Sequence, residues 1–308
     1  MAKKLKKIIF FGTEDFSAEV LKSLIANGRY SIAAVVTKPD SRRGRGKKLG
    51  EPPVKQIAEK NGIAVWQPDK LIDITYNIKS VEDRLGILVS YGKIIPKIIL
   101  DLFEPIGIIN IHPSILPKYR GPSPVETAIL DGDTEVGISF MKLAEKMDAG
   151  PVYKQSQINF NNNEGSVEIY KTVSKIASRE LVEVLPKIIE GDLTAKPQNE
   201  LEATYSKLII KNDGIINWNK PAKQIEREIR AYQIWPKSRC TLGNVEFIVR
   251  EAHLGEDIKN EKVGNAKITN NSLAFQTKQG SLVITRIQPL GKREMSIREF
   301  LAGYKDKI

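Results

Sequence analysis

The sequence predicts an α/β protein: a doubly wound, Rossmann-like domain with a mostly parallel sheet, followed by a small β-barrel of the OB-like type. Three observations lead to this prediction. The first half of the chain alternates short β-rich runs with amphipathic segments of helical length, which is typical of βαβ units. A polar stretch without helical periodicity follows. Short β-rich runs separated by turn residues then fill the last third of the chain.

The first predicted domain, a catalytic domain, covers residues 1–191. Its predicted strands span residues 7–11, 31–37, 86–89, 107–111, 137–142 and 152–160. Its predicted helices span residues 16–26, 53–61 and 166–190. In the first helix, Val20, Leu21 and Leu24 recur at three- and four-residue spacing, which gives that helix an apolar face. Gly191 is a typical helix end, because glycine readily adopts the left-handed conformation found there.

A linker at residues 192–208 and a C-terminal domain at residues 209–308 complete the predicted organisation. A chain of 308 residues that is 41% apolar is long enough for two such domains. The C-terminal domain contains one predicted helix, 221–231, and β-rich runs at 246–252, 262–268 and 282–287. We expect Trp218 and Trp235 to pack this barrel against its helix rather than to stack on bases.

Cysteine and histidine usage limits the chemistry that the chain can support. Cys240 is the only cysteine, which excludes an intramolecular disulfide and a zinc site built from cysteines. His112 and His253 are the only histidines and lie far apart in the sequence, so the paired-histidine spacing of zinc hydrolases is missing. We therefore expect no metal.

The N-terminal sequence and the hydropathy pattern bear on localisation. No apolar run approaches the ~20 residues of a membrane-spanning helix, and the basic start is followed at once by a strand-like segment. We therefore expect neither a signal peptide nor a membrane anchor, and we expect a cytoplasmic monomer.

The charge distribution favours a polyanionic partner. The net charge is +11, and residues 209–308 hold 18 Lys and Arg against 11 Asp and Glu. Residues 38–48 alone hold six basic residues and one acidic residue. Positive charge is thus concentrated in one loop and in the C-terminal third.

The stretch GIINIHPSILPKYRGPSPVETAILDGD is the most informative part of the sequence. Asn110 and His112 end its apolar strand and point to the same face, since side chains alternate along a strand. Ligands bind at the carboxyl ends of strands in open α/β sheets, so this position suits a catalytic pair. The alternative is that both residues merely hydrogen-bond a loop. Four prolines and a glycine then predict an irregular loop: Pro113, Pro117, Gly121, Pro122 and Pro124.

A second polar cluster, KLAEKMDAGPV, places Asp148 before Ala149 and Gly150. Small residues at these positions allow close approach of the backbone. An Asp-Ala-Gly turn is by itself only a turn signal.

Together, Asn110, His112, the run SILPKYRG and Asp148 in MDAG resemble the folate-dependent formyltransferases. Further segments are similar to the methionyl-tRNA formyltransferase family nearly from end to end: IIFFGTEDFSAEVLKSL, VVTKPDSRRGRGKKL, PPVKQIAEKNGI, SYGKIIP, INW and IRAYQIWP. The resemblance implies transfer of a formyl group from 10-formyltetrahydrofolate to the α-amino group of methionine on initiator tRNA. This reaction supplies formylmethionyl-tRNA for translation initiation.

The same resemblance implies the catalytic roles. The Asn110 amide and a protonated His112 are expected to donate hydrogen bonds to the oxygen on which negative charge develops. Asp148 is expected to favour the protonated imidazole and to accept, directly or through one water, the proton that the amine loses.

For the folate, the resemblance implies binding mainly through main-chain groups and an apolar pocket. The candidate residues are Tyr91, Gly92, Lys93, Ile94, Ile95, Ser114, Leu116 and Pro117. The alternative for Ile94 and Ile95 is that they are simply core residues at the start of a helix.

The basic loop at residues 38–50 is the candidate tRNA-binding element. Its basic residues surround two glycines and can neutralise phosphates: Arg42, Arg43, Arg45, Lys47 and Lys48. The resemblance implies that this loop enters the acceptor end of initiator tRNA, with Arg45 in the most direct role. The alternative is an ordinary solvated loop. Its glycine spacing does not match a nucleotide-binding P-loop.

Three other functions share some of these features. The first is a folate-dependent formyltransferase acting on a small amine, such as an amino sugar nucleotide or glycinamide ribonucleotide. The second is a hydrolase that releases formate without an acceptor. The third is an RNA-binding module that keeps the scaffold but has no turnover. The two basic regions argue against the first, and the intact Asn110, His112 and Asp148 argue against the third.

Overall fold

The computed structural model describes residues 6–43 and 48–308. The chain divides into two compact units. Unit 1 comprises Met1–Pro124, Val136–Ile158 and Tyr170–Ser206, and unit 2 comprises Val125–Glu135, Asn159–Ile169 and Lys207–Ile308. Each unit contains its own sheet.

All strands and α-helices of unit 1 are among the first nine strands and six α-helices of the described residues. The strands are β1 (Lys7–Gly12), β2 (Ser31–Val36), β3 (Ser41–Arg43), β4 (Lys48–Gly50), β5 (Ala64–Trp66), β6 (Arg84–Val89), β7 (Ile108–His112), β8 (Glu135–Lys142) and β9 (Val152–Asn159). The helices are α1 (Asp15–Asn27), α2 (Pro53–Lys60), α3 (Thr75–Ser80), α4 (Lys97–Leu100), α5 (Pro124–Asp131) and α6 (Ser166–Glu190).

Seven of these strands form one sheet in the order β5-β2-β1-β6-β7-β8-β9. The strands from β5 to β7 pair in parallel, whereas β8 runs antiparallel to β7. The predicted mostly parallel sheet is confirmed. The strands β3 and β4 form a separate antiparallel hairpin.

Both faces of the central strand β1 are buried. Ile9 and Phe11 lie in a cluster with apolar residues that follow β5 and β6. Ile8 and Phe10 alternate with them and therefore face the opposite side, yet all four residues are fully buried. A parallel sheet covered on both faces requires such continuous apolar strands, which is why the motif KIIFFG forms β1.

The strand order defines where a ligand can bind. The chain continues from β1 to β2 on one side, and it returns to β6 on the other side of β1. The carboxyl ends of β1, β6 and the parallel neighbour β7 therefore meet at one edge, beside a topological switch point. The loops that follow β6 and β7 both begin at this edge.

Two parts of unit 1 differ from the prediction for a local physical reason. Pro124 does not belong to the irregular loop but begins α5, since the fixed φ of proline and its missing N–H suit the first turn of a helix. The polar stretch at residues 192–206 is ordered on unit 1. Its residue Lys196 exchanges two main-chain hydrogen bonds with Val152.

Unit 2 contains an antiparallel sheet that curls. Its strands are β10 (Arg239–Leu242), β11 (Val245–Gly255), β12 (Ala266–Ile268), β13 (Leu273–Gln276), β14 (Ser281–Pro289) and β15 (Met295–Ser296). The sheet order is β10-β11-β14-β13-β12, and β15 pairs with β14. Two register shifts lie between Val249 and Ala252 of the long strand β11, and such bulges bend a strand. The prediction of a small β-barrel domain after the α/β domain is confirmed.

Two helices complete unit 2: α7 (Ala222–Ala231) and α8 (Ile297–Tyr304). Ile225 and Ile229 of α7 and Phe300 of α8 are buried against the strands of the barrel. Trp218 packs on this core and stacks on Phe275 with ring centroids 4.3 Å apart, as predicted.

The other tryptophan differs from the prediction. The side chain of Trp235 is 53% exposed, and its Nε1–H donates to the carbonyl of Ile209 at 3.3 Å. The following Pro236 is joined by a cis peptide bond. Within residues 6–43 and 48–308, no helix combines the length and the apolar character needed to cross a membrane.

Candidate active site

The end of β7 holds the two residues that the sequence predicts as a catalytic pair. Asn110 and His112 are each 5% exposed. His112 Nε2 lies 3.0 Å from the carbonyl oxygen of Tyr119. Because a carbonyl can only accept, Nε2 must carry a proton and donate it, which leaves the Nδ1 edge of the ring for other contacts.

The carboxylate of Asp148 lies beside both of these side chains. Asn110 Nδ2 donates to Asp148 Oδ1 at 3.4 Å, and His112 Nδ1 lies 3.8 Å from Asp148 Oδ2. The second distance is too long for a hydrogen bond, so this contact is electrostatic and depends on a protonated ring. The strand end and the distant turn thus bring an amide, an imidazole and a carboxylate together.

The turn after β8 reaches the site because its backbone folds back closely. Asp148 has a φ of 48°, a left-handed conformation that Asp tolerates better than most residues. The chain returns so tightly that a Cβ on Gly150 would lie 1.9 Å from the carbonyl oxygen of Lys142. Glycine is therefore required at position 150 to present Asp148 to β7.

Gly121 supplies a further contact to the carboxylate. Its main-chain N–H donates to Asp148 Oδ2 at 2.7 Å. Its φ is 115°, and a Cβ at this position would lie 2.9 Å from the carbonyl oxygen of Ser206. Both the backbone conformation and the lack of space exclude a side chain at this position. The glycine that ends the run SILPKYRG therefore allows the hydrogen bond to Asp148.

Ser139 of β8 holds the loop that follows β7. Its hydroxyl donates to the carbonyl of Ser114 at 2.7 Å and accepts the N–H of Leu116 at 3.1 Å. Gln155 of β9 donates to the Leu116 carbonyl at 2.7 Å. The Ser114 hydroxyl donates to the Lys118 carbonyl at 2.6 Å. Of the predicted folate residues, Ser114 thus uses its hydroxyl within the loop, whereas Leu116 uses its main-chain groups on β8 and β9. Pro117 likewise accepts the N–H of Thr204 at 3.2 Å.

The other predicted folate residues follow β6. Tyr91 is fully buried, its ring packs edge-on against Phe11 with centroids 5.8 Å apart, and burial raises the pKa of its phenol to about 12. Thr13 donates its hydroxyl to the Tyr91 carbonyl at 3.0 Å. The two isoleucines differ, since Ile95 is 6% exposed and Ile94 is 78% exposed. The core interpretation therefore holds for Ile95 but is wrong for Ile94.

The segment 92–95 presents its main chain rather than hydrogen-bonding internally. Gly92 has a φ of 70°. The side chain of Lys93 donates from Nζ to the carbonyls of Pro68 and Asp69, which come earlier in the chain, at 2.9 and 3.0 Å. In the described part of the chain, the four N–H groups of residues 92–95 donate to no other main-chain group. Unpaired main-chain donors at the carboxyl edge of β6 fit a ligand that is recognised through main-chain groups.

The predicted tRNA-binding residues fall in and between β3 and β4. In this hairpin, Arg42 pairs with Leu49, and Arg43 pairs with Lys48. Arg45 and Lys47 lie outside the described residues. The predicted basic loop at residues 38–50 therefore has a two-stranded base.

Sequence reasoning missed a polar network beside Asp148. Arg120 is fully buried and makes its side-chain contacts within unit 1: with Gln198, Glu200 and Tyr205. Arg120 and Lys146 lower the pKa of the Glu200 carboxyl to about 2 by hydrogen bonding to it. The sequence contains part of the information needed to predict this network. A buried arginine requires acidic or amide partners, and the polar stretch after α6 contains such residues.

In residues 6–43 and 48–308, no three His, Cys, Asp or Glu side chains are grouped closely enough to hold a metal ion. Two family models match the chain. The formyl transferase model matches residues 6–185, and the model of the formyl transferase C-terminal domain matches residues 208–305.

Solved structures with a similar fold include two that were determined with folate compounds. The sugar 3N-formyl transferase WlaRD, solved with dTDP and 5-N-formyl-THF, has a TM-score of 0.68 and 21% identity, and the match covers 95% of this chain and all of that chain. HypX from Aquifex aeolicus, solved with tetrahydrofolic acid, has a TM-score of 0.67 and 16% identity, and it covers 99% of this chain and 48% of that chain. At these identities the likeness concerns the fold alone.

Curated relatives are similar over nearly their whole length. The methionyl-tRNA formyltransferase of Herpetosiphon aurantiacus is 38% identical, with 97% of this chain and 98% of the relative covered. That of Thermodesulfovibrio yellowstonii is 36% identical, with 97% and 96% covered. With both family models and these relatives in agreement, the chain belongs to the methionyl-tRNA formyltransferase family.

Proposed function

We propose that this protein transfers a formyl group from 10-formyltetrahydrofolate to the α-amino group of methionine on initiator tRNA, in the cytoplasm. The observation that carries the proposal is the convergence of Asn110, His112 and Asp148 in a chain that is 38% identical to a methionyl-tRNA formyltransferase. Formylmethionyl-tRNA, the product, serves translation initiation.

The chemistry requires donors at one oxygen and an acceptor for one proton. A bond forms between the amine nitrogen and the formyl carbon, the bond from that carbon to the donor nitrogen breaks, and negative charge develops on the formyl oxygen. Donors that are already in place where charge develops contribute most to such catalysis. A bound folate donor would supply the formyl group, and the proposed roles of hydrogen-bond donor and proton acceptor belong to side chains of this protein.

Asn110 and His112 are the proposed hydrogen-bond donors. The Asn110 amide has two N–H groups. One donates to Asp148 Oδ1, and the other has no partner in the described part of the chain, so it can donate to the formyl oxygen. The carbonyl of Tyr119 holds His112 Nε2 and fixes the ring, which turns the Nδ1 edge toward Asp148. A proton on Nδ1 would be the second donor.

Asp148 is the proposed acceptor of the proton. Its carboxylate accepts the proton that the amine loses, directly or through one water, and passes it to the departing nitrogen. General acid–base catalysis of this kind contributes about 10²-fold or more. Two held donors, the Gly121 N–H and the Asn110 amide, keep the carboxylate aligned between turnovers.

For the folate, we propose the segment Tyr91 to Ile95 with the neighbouring loop residues Ser114, Leu116 and Pro117. The N–H groups of residues 92–95, which donate to no main-chain group in the described part of the chain, support recognition through the backbone. The exposed Ile94 supplies apolar surface beside them. Ser114, Leu116 and Pro117 contribute by fixing the loop, since their polar groups hydrogen-bond to Lys118, Ser139 and Thr204.

For the tRNA, we propose the hairpin of β3 and β4 and the C-terminal region. The proposed contacts are Arg42, Arg43, Arg45, Lys47 and Lys48, which offer forked and point-charge donors to phosphates. Residues 209–308, with 18 basic and 11 acidic residues, form the proposed tRNA-binding domain. Residues 1–191 form the proposed catalytic domain. The proposed linker, residues 192–208, leads to the C-terminal domain, and its residues 192–206 belong to unit 1.

An acceptor comparison tests the proposal. The purified protein is incubated with 10-formyltetrahydrofolate carrying a labelled formyl group, and label is followed in methionyl-initiator tRNA, in small amines and in free formate. We expect label in the tRNA and little in an amino sugar nucleotide or glycinamide ribonucleotide. Preferential labelling of a small amine, release of formate alone, or no turnover would each contradict the proposal.

A further inference from the structure

The Gln198 side chain makes four hydrogen bonds between two parts of unit 1. Its Oε1 accepts from Arg120 Nε and Nη2 at 3.1 and 2.9 Å. Its Nε2 donates to the main-chain carbonyls of Asp148 and Gly150, each at 2.7 Å. A carboxamide has two N–H groups and one oxygen with two lone pairs, so this side chain is fully satisfied. It joins Arg120 to the turn that carries Asp148.

The two segments that Gln198 joins also meet at the Asp148 carboxylate. The N–H of Gly121, the residue after Arg120, donates to Asp148 Oδ2. Asp148 itself has the left-handed φ of 48°, which costs a non-glycine residue free energy unless its surroundings hold it. The hydrogen bonds from Gln198 to the carbonyls on either side of Ala149 are suited to hold this turn.

The chain that follows Gln198 supports the histidine as well. Thr204 donates its N–H to the Pro117 carbonyl, accepts the Tyr119 N–H at its hydroxyl, and accepts the Arg120 N–H at its carbonyl at 2.9 Å. Tyr119 in turn accepts the hydrogen bond from His112 Nε2. Residues 198–206, which read as a linker in the sequence, are therefore hydrogen-bonded to Tyr119, the partner of His112, and to the main chain of Asp148.

We infer that Gln198 is a positioning residue of the formyl-transfer site, acting through Asp148. This inference rests on the proposed function. Gln198 contacts no candidate reacting group, and its effect comes from fixing the carboxylate relative to Asn110 and His112. A displacement of about 1 Å in such a group can cost about 10²-fold in rate, so the loss of one amide side chain is expected to matter.

The test compares Gln198→Ala and Gln198→Glu with Gln56→Ala as the matched control. Gln56 is exposed on α2 and loses the same atoms. Gln198→Glu keeps an acceptor for Arg120 but replaces the N–H donors by an oxygen that faces two carbonyls. We expect kcat of both Gln198 variants to fall about 10- to 100-fold, with KM for donor and tRNA within about twofold of the parent. Gln56→Ala should match the parent.

A second measurement reports position independently of turnover. Hydrogen exchange at the Gly121 amide should accelerate in both Gln198 variants, because its acceptor Asp148 Oδ2 is no longer held. Circular dichroism and urea unfolding give the folded fraction in the same buffer. If Gln198→Ala does not fold, Gln198→Asn, which is one methylene shorter, takes its place with the same expected outcomes.

The outcomes separate this inference from the proposed function. A parent protein that does not formylate methionyl-tRNA contradicts the proposed function, and the inference fails with it. An active parent with a normal kcat in Gln198→Ala overturns the inference alone. A loss of kcat no larger than the loss of folded protein, with Gly121 exchange unchanged, also overturns it, because Gln198 would then only stabilise the fold.

Discussion

The main-chain N–H of Gly121 donates to Oδ2 of Asp148 at 2.7 Å, which joins the loop after β7 to the turn after β8. Position 121 permits this contact because its φ of 115° and the nearby carbonyl of Ser206 leave no room for a Cβ. The carboxylate that receives this hydrogen bond also lies beside Asn110 and His112. The proposed catalysis depends on these groups meeting at the Asp148 carboxylate.

Asp148→Asn should remove the proton acceptor with almost no change in shape. We expect kcat for formylation to fall by about 10²-fold or more, with KM for the folate donor nearly unchanged. Asp192→Asn is the matched control, since Asp192 is exposed just after α6. Steady-state kinetics on both variants provide the check. Equal kcat values for the two would remove the proposed role of Asp148.

Gly121→Ala should destabilise the protein and also lower its rate of formylation. The left-handed φ alone costs a non-glycine residue about 1–3 kcal/mol, and the Cβ would lie 2.9 Å from a main-chain oxygen. Gly303→Ala in α8 is the contrasting variant, because a Cβ there meets nothing within 4 Å. It should stabilise by about 0.5–1 kcal/mol. Urea unfolding measures both changes, and a stable, active Gly121→Ala would show that the loop can relax.

Glu200→Gln should reveal a pH-dependent contribution to stability. Hydrogen bonds from Arg120 and Lys146 lower the pKa of the Glu200 carboxyl from 4.5 to about 2 in the folded protein. A depressed pKa means that the contribution is fully present above about pH 4.5 and is lost as the pH falls toward 2. The parent should therefore exceed Glu200→Gln in stability at neutral pH, and the difference should shrink below pH 4.5.

Urea midpoints across this pH range measure the Glu200 effect. Glu202→Gln serves as the control, because Glu202 accepts from the Asn199 amide at 2.8 Å rather than from a cation. A difference between the parent and Glu200→Gln that stays constant down to pH 2.5 would contradict the assigned cause.

Arg45→Ala should weaken tRNA binding more than it slows the formyl-transfer step. Loss of one phosphate contact should raise KM for tRNA and reduce the slope of log binding constant against log salt by about 1. KM for the folate donor should stay the same. Lys22→Ala is the control, since Lys22 pairs with Glu19 on the surface of α1 at 2.7 Å. Binding titrations at several salt concentrations check this, and an unchanged slope would exclude Arg45 from the phosphate contacts.

How far the sequence predicts the structure depends on the kind of signal. Apolar runs and helical periodicity predict β1, α1 and α6 closely, because burial imposes a regular pattern. The strands β3, β4 and β5 have three residues each, too few for any periodicity. The proline-rich pattern predicts a loop at Pro124, but proline also begins helices, and α5 begins there.

In the candidate site, too, some features follow a regular sequence pattern and others do not. Strand alternation predicts that Asn110 and His112 share a face, whereas the position of Asp148 beside them comes from a resemblance, since no spacing rule relates a strand to a turn 36 residues later. The Arg120–Gln198 contact joins residues 78 positions apart through isolated polar side chains. Such contacts leave no pattern in one sequence, and residues 192–208 therefore read as a linker.

A comparison of His112→Ala with His253→Ala tests the proposed catalytic role of His112 most directly. These are the only two histidines, and His253 is exposed on β11. Single-turnover formylation of methionyl-initiator tRNA, with enzyme in excess and donor saturating, isolates the chemical step. We expect a fall of about 10²-fold or more for His112→Ala and a parental rate for His253→Ala. A parental rate for His112→Ala would contradict the proposed role.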